Sequence, residues 1–167
     1  MREELNTELF KAIKQLKIAN LTNDDKDDLL SIFNNTGNAA IRDQIALIFA
    51  EVSYNEAIPS IINKINDKAL FNHTGTLVYC LQELDAKNYF IDLIKIVCEQ
   101  AYESQIVAFT AIKNLIEFIE GDTLSQALML LKSSKKKIEK SNVDNYETID
   151  LINSLIDLLE ASNTSHL

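Results

Sequence analysis

A chain of 167 residues with 16 Lys and Arg against 25 Asp and Glu carries a net charge of −9, and its length suits a single domain, 1–167, burying roughly 70% of the unfolded surface. The 47% apolar and 25% charged fractions exclude global disorder, and no run approaches the ~18 apolar residues of a membrane span. Three Gly and one Pro leave almost no turn chemistry for a multi-stranded sheet, so the fold class is all-α.

Small polar residues mark the helix starts. Asn6 or Thr7 opens a first helix with Leu9, Phe10, Ile13, Leu16 and Ile18 on its apolar side. Thr22 or Asn23 opens a second, through Leu29, Leu30, Ile32 and Phe33, which Asn34-Asn35-Thr36-Gly37 ends before Asn38 restarts the chain. Residues 3–35 thus read as a helix pair that caps one end of the molecule. Asp24, Asp25, Asp27 and Asp28 crowd the second helix's first turn, where the macrodipole favours negative charge. A calcium loop would need Gly at its sixth position and Glu at its twelfth, and neither is present.

From Asn38 a longer period sets in. Ile45, Phe49, Val52, Ile58, Ile61, Ile62 and Ile65 return 32 residues later as Leu77, Leu81, Leu84, Phe90, Leu93, Ile94 and Val97. A third copy keeps Ala108, Ile112 and Leu115, then Leu124, Ala127, Leu128 and Leu131, with an insertion absorbed in Phe118-Ile119-Glu120-Gly121-Asp122. A helical hairpin of this size cannot cover its own apolar side, so neighbours must stack and share a core.

Ile41-Arg42-Asp43-Gln44-Ile45-Ala46-Leu47-Ile48-Phe49-Ala50, then Glu56-Ala57-Ile58-Pro59-Ser60-Ile61-Ile62, resembles a HEAT repeat. Pro59 fits the first turn of a helix, whose leading N–H groups have no intrahelical acceptor. In the next two units Ile91 and Ser125 replace that proline, His73 and Ser104 stand where Ile41 does, and Ser53-Tyr54 takes the place of the usual Gly-rich turn. The resemblance covers residues 38–132 and implies a short right-handed α-solenoid of stacked antiparallel helix pairs, in a family that is mostly non-catalytic. The signatures of tetratricopeptide and ankyrin repeats are absent.

Beyond the third unit, residues 133–142 read as a lysine-rich linker. The run from Lys132 to Lys140 holds five Lys and one Glu, without the aromatic or Arg partners that nucleic-acid reading uses; a binding patch is the alternative. Residues 143–161 form a closing helix with Tyr146, Ile149, Ile152, Leu155, Ile156 and Leu159 on one stripe, and the chain ends in a frayed tail from Ala161.

Chemistry-bearing residues are few. Of two histidines, His166 lies in the tail and His73 at a helix start. Cys80 aligns with core positions and Cys98 ends a second helix; neither makes a Cys-x-x-Cys unit, so no metal site and no cofactor are expected. His73 lies seven residues from Cys80, about 10 Å along a helix axis and too far for direct proton transfer. The glycines are isolated and form no phosphate loop. A non-enzyme is expected.

The repeat register then names a surface. Second helices of such stacks share one face, and the offsets align Glu56 with Asn88 and Asp122, Ser60 with Asp92 and Gln126, and Asn63 with Lys95 and Met129. Ile96 and Met129 lie off the main core stripe and are expected as apolar anchors in a polar, net-acidic groove. Tyr54, Tyr89 and Tyr102 sit near helix ends, with Tyr a common anchor in interfaces. The partner-binding residues expected are Glu56, Ser60, Asn63, Tyr89, Asp92, Lys95, Ile96, Gln126 and Met129.

The acidic balance selects a basic protein partner and disfavours nucleic acid, whose binding runs on phosphate neutralisation. Met1-Arg2-Glu3-Glu4 leads into no signal core and two cysteines suit a reducing compartment, so a cytoplasmic protein, not membrane-bound, is expected; the sequence leaves the oligomeric state open, with a monomer favoured. Small acidic proteins of this kind resemble bacterial immunity proteins, which occlude a cognate toxin. The alternatives are a structural or adaptor subunit of a larger assembly and a nucleic-acid-processing HEAT-like enzyme.

Overall fold

A computed structural model describes residues 2–141 and 145–165. Among these residues every regular element is helical, as the scarcity of turn formers requires. Backbone contacts divide the chain into two compact units, Met1–Asp85 and Ala86–Leu167, a boundary that falls inside the second expected helix pair.

The first unit holds α1 (Arg2–Lys14), α2 (Asn23–Asn35), α3 (Ala39–Glu51), α4 (Ile58–Ile65) and α5 (Gly75–Glu83). Helix α1 begins before the expected cap at Asn6, with Glu3 and Glu4 in its first turn and Lys11 and Lys14 in its last, both signs favourable to the macrodipole. It stops at Lys14, so Ile18 belongs to a separate 3-10 turn, Ile18–Asn20. Thr22 caps α2 in a reciprocal capping box with Asp25, and Asn38 Oδ1 accepts from Ile41 N–H at 3.1 Å to open α3. Helices α1 and α2 both pack on α3, and α3 and α4 both pack on α5. Ile41, Ile45, Ile48 and Phe49 of α3 are buried, as are Ile58, Ile61, Ile62 and Ile65 of α4, the three- and four-residue spacing the sequence predicts.

The turn after α3 shows why Ser53-Tyr54 does without glycine. Ser53 has φ 52°, in the left-handed region. Its N–H reaches Ala50 O at 3.2 Å, and Tyr54 N–H reaches Phe49 O at 2.8 Å, the paired bonds of a Schellman ending. The apolar contact that accompanies this motif is there too, with the Phe49 and Tyr54 rings 5.3 Å apart.

Arg42 is buried at 3% exposure, held 2.7 Å from the Asp43 carboxylate. It also donates to His73 O at 2.9 Å, fixing the approach to α5.

The second unit holds α6 (Phe90–Glu99), α7 (Tyr102–Leu115), α8 (Gly121–Lys140) and α9 (Tyr146–Ser165). Helix α6 packs against α7, α8 and α9 and buries Phe90, Leu93, Ile94, Ile96 and Val97, more than one stripe, so it is the central helix of this unit.

The expected lysine-rich linker is corrected here: α8 continues unbroken to Lys140. Nothing in the run breaks a helix, Lys132 pairs with Glu160 of α9 at 2.7 Å, and Lys137 and Lys140 lie at the negative end of the macrodipole. Residues 142–144 of the proposed linker and closing helix, and His166, lie outside the described residues. Helix α9 continues through the start of the expected frayed tail to Ser165. Its Ile152, Leu155 and Leu159 are buried, but Tyr146 is 74% exposed, and Thr148 is buried instead, donating to Gln105 Oε1 at 3.0 Å.

Candidate functional site

In the first unit the expected face is built from Glu56, in the 3-10 turn Asn55–Ala57 leading into α4, together with Ser60 and Asn63 on α4 itself. The spacing of four and three places them on one side of the helix, opposite the isoleucines. Glu56 and Asn63 are exposed and Ser60 is half-buried. Lys64, one residue on, is already committed: its Nζ donates to Asn34 O at 2.9 Å, satisfying a carbonyl in the last turn of α2.

In the second unit Tyr89 and Asp92 are half-buried, and Lys95, Gln126 and Met129 are exposed. Lys95 Nζ lies 2.9 Å from Asp92 Oδ1, so this turn of α6 presents a neutral pair rather than a free carboxylate. Ile96 is corrected: at 2% exposure it is core, because α6 is enclosed by three neighbours and has no spare apolar side. Met129 is 67% exposed, the large apolar side chain the register expects on this surface. Lys132, paired with Glu160, and exposed Lys136 follow it at three and seven residues along the same side of α8, so the acidic groove expected does not continue along this stretch. A polar groove of about 420 Å³ runs beside the starts of α6 and α8, bringing Asn88 and Ile91 to Gln126, with Glu120 and Phe118 at its wall.

Tyr54 is not available as an anchor. It is buried at 8% exposure, and its hydroxyl donates to Asp27 Oδ1 at 2.6 Å. That bond, then burial, then the charges of Asp27 and Glu56 push its pKa up to about 12. The bond spans 27 residues of sequence and joins a capping cluster to a turn, so no local pattern announces it. Asp25 is held below the usual carboxylate range by the hydroxyl and then the backbone N–H of Thr22.

His73 is exposed while Cys80 is completely buried, which separates the one described histidine from that thiol. Burial, reinforced by Asp43 and Glu83, pushes the Cys80 thiol up to about 12. Burial also raises Cys98, opposed by a hydrogen bond with Ser134 and by Lys137. Among the described residues no three His, Cys, Asp or Glu side chains converge as metal ligands, and no helix is long and apolar enough to cross a membrane.

Comparison with protein-family models, curated proteins and solved structures finds no match to this chain.

Proposed function

We propose that this chain is a non-catalytic protein-binding module of the HEAT-like, right-handed α-solenoid kind. In this reading it is a cytoplasmic monomer whose second-helix face holds a basic protein partner, in the manner of an immunity protein that occludes a bacterial toxin. The observation that carries the reading is the polar row of exposed Glu56, half-buried Ser60 and exposed Asn63, on a helix and its leading turn whose other side is consumed by core. Helix spacing supports it: α4, α6 and α8 begin at Ile58, Phe90 and Gly121, close to the 32-residue period. Packing of like helices, α3 on α5 in one unit and α6 on α8 in the other, is the stacking that a solenoid uses.

Glu56 supplies an exposed carboxylate, while Asp92 must exchange Lys95 for a partner's cation. The test is calorimetric titration of the full chain with a basic toxin-like protein, sought first among the products of the genes that adjoin its own. A one-to-one complex is expected, weakened by salt and by Glu56→Lys, with Asp92→Lys adding a second loss. Binding indifferent to both reversals would refute the face. Binding of DNA or RNA at low salt, or self-association instead of complex formation, would refute the function.

A further inference from the structure

The partner face leaves the N-terminal helix pair without a role beyond covering α3. Between α1 and α2 lies a trough of about 220 Å³ walled by Leu9, Ile13, Leu16, Leu21, Leu29 and Ile32. Leu16 stays 38% exposed there, and Leu5 on the same helix 66%. Asp25 and Asp28 of α2 form the rim, with Asp24 beside them. Asp25 is engaged in its capping box, whereas Asp24 and Asp28 have no ion-pair partner among the described residues. A second, polar trough shares Leu9 and Ile32 and continues to Asn6, Asn35 and Asn38. Together they follow α2 from Asp25 to Asn35, about 15 Å at the helical rise, or nearly three turns.

We propose that this groove docks a short amphipathic helix of a partner protein, its aliphatic side chains in the trough and a Lys or Arg over Asp25 and Asp28. An apolar trough of helical length with hydrogen-bonding groups at one end is the receptor half of helix-in-groove recognition. Charge selects the occupant, because an acidic helix would bring like charges onto the rim. The groove shares no residue with the row Glu56, Ser60 and Asn63, so it stands or falls independently of the second-helix face.

The test uses isotope-labelled full-length protein and a short acetylated, amidated peptide of leucine and lysine patterned as an amphipathic helix. Amide shifts are expected only along α1 and α2. Asp28→Lys should weaken binding about tenfold, since it turns an attraction into a repulsion. Ala12→Phe, which places a ring in the trough from an exposed position, should abolish it. The counterpart peptide of leucine and glutamate should not bind. Should the Ala12 variant fail to fold, Leu16→Lys carries the same expectation. Equal binding of both peptides, shifts centred elsewhere, or variants that bind as well as the parent would overturn the proposal. So would concentration-dependent dimerisation abolished by Ala12→Phe, which assigns the groove to a second copy of this chain.

Discussion

Replacing Ser53 by glycine should stabilise this protein. Ser53 occupies φ 52° at the residue that ends the Schellman turn after α3. A residue bearing a Cβ is destabilised by roughly 1–2 kcal/mol in the left-handed region, and glycine is not. Against this, glycine has more freedom to lose on folding, a penalty of about 0.5–1 kcal/mol. No hydrogen bond through the Ser53 hydroxyl enters the balance, for Asn55 N–H reaches only its backbone carbonyl, at 3.0 Å. The net expectation is a gain of about 0.5–1 kcal/mol, read as a higher urea midpoint at unchanged slope and as a few degrees in Tm. Ser53→Ala keeps the Cβ and should gain nothing, while Ser53→Val, branched at that carbon, should lose at least ~1 kcal/mol. A glycine variant that is neutral or less stable, or an alanine variant that gains as much, would refute the assignment of strain to this residue.

Tyr54→Phe removes the 2.6 Å bond to Asp27 and should cost about 1 kcal/mol in urea unfolding, because the exposed carboxylate regains water. It should also flatten the alkaline limb of stability. Between pH 10 and about 12 the unfolded tyrosine has released its proton while folded Tyr54 keeps it, so stability is complete below pH 10 and falls as pH rises through that window. Cys80 acts with the same sign from pH 9 to about 12, and at about pH 8 its buried thiol should react with a disulfide reagent only as fast as the fold opens. Arg42→Met should cost about 2 kcal/mol, since Asp43 and His73 O lose their shared donor but Asp43 is partly solvated. Thr148→Val should cost about 1–2 kcal/mol by stranding buried Gln105 Oε1; Gln105→Leu gives up the Nε2 bond to Gln100 O at 2.8 Å as well, and the double variant should lose less than the two single losses combined, so strict additivity would refute the coupling.

Composition and periodicity determined the helical class, the placement of most helices and much of the core. These follow from local chemistry: Thr22 and Asn38 satisfy N–H groups within three residues, and isoleucines spaced three and four apart leave α4 one way to bury its apolar side. Of the residues the register names for the candidate face, Glu56, Asn63 and Met129 are exposed, whereas Ile96 is not. What tertiary structure decided is how many sides each helix must bury and which distant groups meet. Ile96 became core because three helices surround α6, and Lys132 pairs with α9 because an unbroken α8 carries it there. Tyr54 bonds to Asp27 across 27 residues and a trough opens between α1 and α2, since a one-dimensional period records each helix's own preference and not the spacing left between neighbours.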